Sequence, residues 1–165
     1  MNLPFEPKNG IKIMQGFHGP WSHKELSQTL DLSFAVDFIV PLGTEVCAAE
    51  DGVVLMVYDL SLSSYRGEDP EIGNKLPVGS TNFVYVEHRG GIVSVYSHLE
   101  NGSSMVSRGQ TVFEGQGLAK TGLSGWVGPT PHLHFQLFRR SDYKSVAFRL
   151  KGYSGSLEHS DLFSF

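Results

Sequence analysis

Short segments rich in β-branched and aromatic residues, separated by turns that contain glycine, dominate the chain after residue 30. Clear examples are SFAVDFIV, TNFVYVEHR, GIVSVYSHL and HLHFQLFRR, and nineteen glycines with eight prolines supply turns between such segments. This pattern predicts short strands joined by tight turns. Only SHKELSQTL is compatible with one or two helical turns. We therefore expect an all-β chain with mainly antiparallel sheets and little helix.

Two segments of the sequence resemble each other. VPLGTEVCAAEDGVV (residues 40–54) and VSRGQTVFEGQGLAKTG (residues 106–122) share a Gly-Thr/Gln-x-Val core, with Gly43 and Gly109 in matching places. Each segment is typical of a strand, a tight turn and further strand. The similarity predicts a duplicated β-hybrid or barrel-sandwich-like architecture, although so short a match also arises by chance.

The length and charge of the chain limit its organisation and its partners. A chain of 165 residues can bury one core, and we expect a single domain over residues 1–165 with its core at about residues 10–150. The polar stretch 59–80 is longer than the roughly 12–15 residues of an ordinary connection, and is interpreted as an insertion loop. It is either a rim over a substrate groove or a mobile surface loop. A net charge of −4 argues against nucleic acid as a partner.

No targeting or membrane signal is predicted. No run has the length of a transmembrane helix, and MNLPFEPKNG lacks the basic and apolar regions of a signal peptide. Either the protein works where it is made or a leader is missing from this sequence. The single cysteine, Cys47, excludes an intrachain disulfide, and the pattern does not indicate an oligomeric state.

Asp37 is the one charged residue in the apolar run LSFAVDFIVP. An ionised carboxylate loses several kcal/mol or more when it is dehydrated without a partner. A salt bridge or a turn-facing position would relieve that cost, but no basic residue lies within ten positions downstream. A metal ion is the better account of this aspartate.

Two histidines alternate in PHLHFQLF. In a strand, His132 and His134 lie on one face about 6–7 Å apart, while the leucines and phenylalanine between them face the core. Two neutral imidazoles on a rigid strand are a natural start for a zinc site. The competing interpretation is a solvent-facing strand that happens to carry two histidines.

The order of these motifs resembles that of the lysostaphin-type zinc metallopeptidases, which cut peptide bridges in bacterial peptidoglycan. The motifs run from about Gly16 to Leu137: AVDF with VPLGTEVCAAEDGVV, NFVYVEH, VYSHL, V..GQ.V..GQ.L...G.SG and PHLHF. The resemblance implies a zinc-dependent endopeptidase with one Zn²⁺ per chain, a peptidoglycan peptide as substrate, and a place in the cell envelope or outside the cell. By position it implies that Asp37 and His134 bind zinc, that His132 is the catalytic base, and that His98 holds substrate or the developing oxyanion.

The first zinc ligand departs from the common family pattern, which puts it four residues before the aspartate. That position is Ser33, and a serine hydroxyl is a poor zinc ligand at neutral pH. A subset with QG...G..SH before A.DF places its histidine further upstream, and His23 fits that pattern, fourteen residues before Asp37. His18 is the rival ligand in the same loop.

The remaining candidates are weaker. Asn82 matches a family position near the groove and is predicted to contact substrate or to cap its strand, and Trp126 is predicted to stack on substrate or to pack on its loop. His88 and His159 are interpreted as ordinary structural or surface residues.

Three alternative functions stay open. One is a catalytically inactive family member that regulates or binds the cell wall, and the loss of the usual ligand at Ser33 is its best support. Another is a phosphotransfer-like carrier with a duplicated β topology, but a carboxylate beside its histidines would repel phosphate. The last keeps the zinc and changes the peptide substrate.

Overall fold

The computed structural model describes residues 1–7, 10–73, 75–77 and 79–158. About 35% of the residues are in strands and 2% in helix, which confirms the all-β prediction. In chain order the elements are β1 (Ile13–Gln15), β2 (Glu25–Ser27), β3 (Leu30–Asp31), β4 (Val36–Ile39), β5 (Glu45–Cys47), β6 (Gly52–Tyr58), β7 (Ser64–Tyr65), α1 (Pro70–Gly73), β8 (Phe83–Glu87), β9 (Ile92–Ser97), β10 (Thr111–Val112), β11 (Gly117–Lys120), β12 (Gly125–Trp126) and β13 (His132–Arg139).

A seven-stranded sheet organises the molecule, with the order β1-β4-β13-β9-β8-β6-β10 and antiparallel neighbours throughout. Its register sets Gln15 opposite Asp37, Asp37 opposite His134, and His134 opposite Ser97. Residues far apart in the sequence therefore form one polar row across four strands. Directly opposite residues lie within about 4.5–5.5 Å of each other, close enough for their side chains to interact.

The two faces of β13 carry different side chains. Leu133 and Phe135 lie opposite Phe38 and Val36 of β4, and all four belong to the main hydrophobic core. The intervening histidines lie on the other face, as the two-residue period of a strand requires. The predicted alternation of PHLHFQLF is thus observed. Both faces of the strand are buried over most of its length.

The two similar segments interlock as a duplicated unit. The first strand of each pairs with the second strand of the other: β5 with β11, and β10 with β6. The turns are equivalent as well, because Gly43 and Gly109 have φ of 75° and 86°, which favour glycine. The amide of Gly43 donates to the carbonyl of Thr121, and the amide of Gly109 donates to that of Val54. This reciprocal pairing agrees with the predicted duplication.

The helical expectation for residues 22–30 is wrong. This segment contributes β2 and part of β3, which pair as a small antiparallel hairpin with a register shift. The Leu32 amide donates to the Lys24 carbonyl at 3.1 Å, and Lys144 pairs with Glu25 at 2.6 Å. Contacts with a distant part of the chain therefore support an extended conformation here.

Within the part of the chain that the structure describes, no helix has both the length and the apolar character needed to span a bilayer.

Candidate metal centre

Asp37 and His134 form the part of the site that lies on the sheet. They are directly opposite on β4 and β13, and His134 Nδ1 lies 2.8 Å from Asp37 Oδ1. Both side chains are buried, with exposed fractions of 3% for Asp37 and 9% for His134. The backbone ladder alone brings these two groups together, because neighbouring strands lie only about 4.8 Å apart.

His23 reaches the same aspartate from the loop between β1 and β2. Its Nε2 lies 3.2 Å from Asp37 Oδ2, and its Nδ1 lies 2.7 Å from the carbonyl oxygen of Gly16. A carbonyl only accepts hydrogen bonds, so Nδ1 carries the proton and the neutral ring presents a lone pair at Nε2. That buried Nε2 has no hydrogen-bond partner among the described residues. A lone pair and a carboxylate that face each other at 3.2 Å repel unless a proton or a metal ion lies between them.

The three side chains fit a zinc ion. One ligand atom from each of His23, Asp37 and His134 lies within 4.8 Å of the other two. Two imidazole nitrogens and one carboxylate oxygen are a donor set that Zn²⁺ takes readily. A protein that supplies three ligands leaves the fourth position for water or substrate, which is the arrangement of catalytic zinc sites.

The electrostatics of the site favour a bound cation. Burial opposes ionisation of Asp37, but His23, His132 and His134 outweigh it and hold the pKa of that carboxyl well below its usual range. Burial likewise lowers the pKa of His23, but the negative charge of Asp37 outweighs it, so that the net shift is upward. Both directions show an ionised carboxylate at the centre of the site.

His98 and His132 lie beside these groups and share one arrangement. Nδ1 of His132 donates to the Thr130 carbonyl at 2.9 Å, and Nδ1 of His98 donates to the Ser124 carbonyl at 2.8 Å. Their ring centroids are 4.7 Å apart. Burial lowers the pKa of both, to about 3 for His98, where the two other histidines add to the effect. Each is therefore neutral, with a lone pair at Nε2.

The backbone at His98 is unusual. Its φ of 65° lies in the left-handed region, which residues other than glycine seldom occupy. The residue directly follows β9, and its carbonyl accepts a hydrogen bond from the Gly122 amide at 2.7 Å. Backbone conformations of this kind persist where surrounding contacts hold them, and they cluster at functional sites.

A cleft of about 460 Å³ lies against the site. It is lined by Met14, Gln15, Trp21, Ser22, Asp37, Glu68, His98, Trp126, Val127, Gly128, Pro129, His132 and His134. Apolar walls with a few convergent polar groups are the usual composition of a substrate site.

Comparison with known proteins decides the family. The profile of Peptidase family M23 matches residues 32–147, which is most of the chain. The chain belongs to this family. Over 106 residues it is 34% identical to the peptidoglycan DD-endopeptidase ShyA of Vibrio cholerae, an alignment that covers 63% of this chain and 20% of the relative. The chain spans about a fifth of the length of the curated relatives that it matches.

Solved structures show the same family fold. The catalytic domain of the antimicrobial peptidase lysostaphin from Staphylococcus simulans superposes with a TM-score of 0.55 at 24% identity, covering 84% of this chain and 90% of that one. A zinc containing peptidase from Vibrio cholerae gives a TM-score of 0.55 at 24% identity, covering 90% of this chain and 41% of that one. The family resemblance inferred from the motifs is confirmed.

The polar stretch 59–80 of this M23 chain contributes Glu68 to the lining of the cleft and packs beside it. Its strand β7 pairs in parallel with β12. Arg66 Nη2 donates to the Pro129 carbonyl at 2.7 Å, and Trp126 Nε1 donates to the Gly67 carbonyl at 2.9 Å. A Cβ at Gly73 would lie 2.1 Å from the Trp126 ring, so the ring packs directly on α1. These contacts bring part of the stretch next to the cleft, and its role as a rim over substrate stays a prediction.

The structure separates the two histidines proposed for the first ligand. His18 Nδ1 and Nε2 are not part of the three-residue cluster, and its ring packs on Phe34 at a centroid distance of 4.8 Å. Ser33, at the usual ligand position, donates from Oγ to Asp31 Oδ1 at 2.6 Å. The geometry therefore places His23 next to Asp37, whereas His18 and Ser33 are outside the cluster.

The predicted substrate contact of Asn82 is not supported. Its side chain is fully buried, with Oδ1 accepting from the Ser61 amide at 2.7 Å and Nδ2 donating to the carbonyls of Ser61 and Leu99. Its amide donates to Ser124 Oγ at 2.9 Å. These bonds connect Ser61 to Leu99, the residue that follows His98, so Asn82 has a structural role.

Trp126 packs on Gly73 and lines the cleft, and its stacking on substrate stays a prediction. His88 is a structural residue: its ring bonds the Asp51 carbonyl and Ser94 Oγ, both at 2.8 Å. His159 lies outside the described residues.

Gln15 is the residue at the site that the sequence reasoning missed. Its side chain lies 2% exposed in β1 and contacts Asp37. The signal was present, since Gln15 is the polar residue that follows the apolar pair Ile13 and Met14 and begins the QG motif. A buried polar side chain needs partners, and that requirement points to the site.

Proposed function

We propose that this protein is a zinc-dependent endopeptidase that hydrolyses peptide bonds of bacterial cell-wall peptidoglycan, with one Zn²⁺ held by His23, Asp37 and His134. The observation that carries the proposal is the convergence of His23 Nε2 and His134 Nδ1 on the two oxygens of the buried Asp37 carboxylate. Bound zinc would supply Lewis acidity and lower the pKa of a coordinated water from 15.7 to about 7.

His132 is suited to act as the general base. Its Nδ1–H is fixed on the Thr130 carbonyl, and its Nε2 lies 3.8 Å from Asp37 Oδ1. The ring is thereby locked with an unprotonated nitrogen next to the ligand cluster. It can accept a proton from the attacking water there, and later give that proton to the leaving amine.

His98 has the same tautomer, and this changes the role expected for it. With Nδ1–H bonded to the Ser124 carbonyl, the neutral ring has only a lone pair at Nε2 and cannot donate to an oxyanion. It can donate only after Nε2 has taken up a proton. We therefore assign His98 as a hydrogen-bond acceptor that holds a donor group of the substrate at Nε2, which is one of the two roles that the resemblance implies.

The family and the cleft support a cell-wall peptide as substrate. The relative ShyA is a peptidoglycan DD-endopeptidase, and lysostaphin is an antimicrobial peptidase. The cleft presents the rings of Trp21 and Trp126 together with the polar groups of the site. Aromatic surface in the cleft is therefore available to pack on a peptide.

A catalytically inactive wall-binding or regulatory module is the alternative. It is favoured by Ser33 at the usual ligand position, where the hydroxyl bonds Asp31 instead of facing the site. The two functions differ in whether His23 replaces the missing ligand, so the metal content decides between them.

Zinc per chain, measured by elemental analysis, and release of peptides from purified peptidoglycan test the proposal on the parent, His23→Ala and His18→Ala. We expect one zinc and peptide release in the parent, loss of both in His23→Ala, and retention of both in His18→Ala. A parent that holds no zinc when zinc is supplied at neutral pH would refute the catalytic function and leave the inactive module.

A further inference from the structure

We propose that Gln15 is a positioning residue for the metal site, which holds the His23 loop and the Asp37 carboxylate in the geometry that binds the ion. The inference rests on the proposed zinc site and adds a residue to it. Gln15 is the last residue of β1, at the edge of the large sheet and directly opposite Asp37. Its side chain is buried, so each polar atom of the amide needs a partner.

The carbonyl oxygen of the Gln15 side chain holds the loop. Oε1 accepts hydrogen bonds from the backbone amides of Trp21 at 2.8 Å and Ser22 at 3.3 Å. These are the two residues immediately before His23. The position of the His23 backbone is therefore set from one side by Gln15, while the Gly16 carbonyl orients its ring from the other.

The amide nitrogen of the same side chain holds the carboxylate. Nε2 donates to Asp37 Oδ2 at 3.2 Å and to Ser22 Oγ at 3.2 Å. Oδ2 is the oxygen that faces His23, whereas Oδ1 faces His134. A donor on Oδ2 fixes the rotation of the carboxylate and so divides its two oxygens between the loop and the sheet.

The loop is also shaped to admit Gln15. A Cβ at Gly19 would lie 2.1 Å from Gln15 Cγ, so only glycine lets the loop backbone pass this close to the Gln15 side chain. Gln15 thus has one group of contacts on the loop backbone and another on the metal ligand, and a single planar amide links them.

Glutamine is the side chain that this position requires. Glutamate could accept from the two loop amides, but its ionised form could not donate to Asp37 and would place a second negative charge beside it. Methionine matches the length of glutamine but has no donor and only a weak acceptor. Partners that orient metal ligands in this way typically change metal affinity by about 10–100-fold when they are removed.

The zinc dissociation constant, measured by competition with a fluorescent chelator using zinc ion alone, tests the proposal on Gln15→Met and Gln136→Met. Gln136 is the matched control, because it is a buried glutamine on β13 that is outside the ligand cluster. We expect zinc binding about 10–100-fold weaker in Gln15→Met and within about threefold of the parent in Gln136→Met. A dissociation constant of Gln15→Met within threefold of the parent would overturn the inference.

Thermal unfolding of the metal-free and zinc-loaded proteins separates positioning from general packing. A positioning role shrinks the rise in unfolding temperature that zinc gives to Gln15→Met, whereas a packing role lowers both temperatures equally and overturns the inference. If Gln15→Met does not fold, Gly19→Ala decides, since it displaces Gln15 without removing its amide. We expect weaker zinc binding there, and unchanged binding contradicts the proposal. A parent without zinc refutes the proposed function itself, which keeps the two failures distinct.

Discussion

The proposed metal site is assembled from two regions that are held in different ways. Asp37 and His134 belong to adjacent strands, and the backbone hydrogen bonds of β4 and β13 set their distance. His23 comes from a loop, and its distance from Asp37 depends on the Gly16 carbonyl and the Gln15 side chain. The sheet region therefore uses main-chain bonds that any sequence can make, while the loop region relies on particular side chains.

This difference teaches where the site is tolerant and where it is fragile. A strand ladder keeps its geometry when a side chain on it is replaced, so chemistry there can be removed without moving the neighbours. A loop held by a few side-chain contacts opens more easily, since local stability follows the number of buried contacts and hydrogen bonds. In the proposed site the first ligand lies in this loop instead of at position 33, and Gln15 and Gly16 hold the loop beside Asp37.

The largest expected effect comes from the sheet region, where His132→Ala should remove the base and leave the ligands in place. We expect turnover of peptidoglycan peptides to fall by about 10²–10⁴-fold, the usual contribution of a general base, with zinc content unchanged. Peptide release and elemental analysis on the same preparation check this. Loss of zinc in this variant would contradict the claim that the strand keeps its geometry when one of its side chains is replaced. Ser33→Ala is the control, and we expect it to keep both zinc and activity.

A smaller effect is expected at Asp31, which anchors the chain between the loop and β4. Its carboxylate accepts from Ser33 Oγ, the Ser33 amide and the Ser145 amide. Burial opposes its ionisation, but the bonds from Ser33 and Ser145 and the charge of Lys144 lower the pKa of Asp31. We expect Asp31→Asn to destabilise the protein by about 1–3 kcal/mol at pH 7, because one amide group cannot serve all three donors.

The destabilisation by Asp31→Asn should depend on pH, because the pKa of Asp31 is lowered in the folded protein. A carboxyl whose folded pKa is depressed stabilises the fold above its unfolded pKa, about 3.9, and the stabilisation is lost as pH falls through the folded value. The difference in unfolding free energy between parent and Asp31→Asn should therefore shrink below about pH 4. Urea unfolding at a series of pH values measures it, and a difference that stays constant into acid would count against the assigned bonds.

The smallest effect concerns the loop region when the metal is removed by a chelator. We expect hydrogen exchange at the Trp21 and Ser22 amides to accelerate by about tenfold. Without the metal, His23 no longer anchors the loop, and the bonds of these amides to Gln15 open more often. Exchange of the β13 amides should stay unchanged. Equal acceleration in both regions would show that the ladder and the loop open together.

Much of this arrangement could be predicted before folding was considered. The two-residue alternation of PHLHFQLF places its histidines on one face, since the period of a strand is a local property. The charged Asp37 in an apolar run indicated a cation, because desolvation of a lone carboxylate is costly wherever it lies. The motif order indicated the family, and the matching segments indicated the duplication.

Other features depended on contacts that no local pattern reports. SHKELSQTL forms part of a hairpin, which is supported by the ion pair of Glu25 with the distant Lys144. Asn82 is structural because its side chain forms hydrogen bonds with Ser61 and Leu99. Part of the 59–80 stretch lies beside the cleft because its strand β7 pairs with β12.

The sequence by itself determined the β class, the faces of the strands and the need for a cation at Asp37, all of which follow from the nature and spacing of neighbouring residues. Only the tertiary structure decided which histidine reaches that aspartate. It is His23, on a loop whose Trp21 and Ser22 amides donate to Gln15 Oε1. The physical reason is that a loop's path depends on hydrogen bonds to residues brought near by the register of the sheet. That register joins positions 15, 37 and 134, which the linear order keeps far apart.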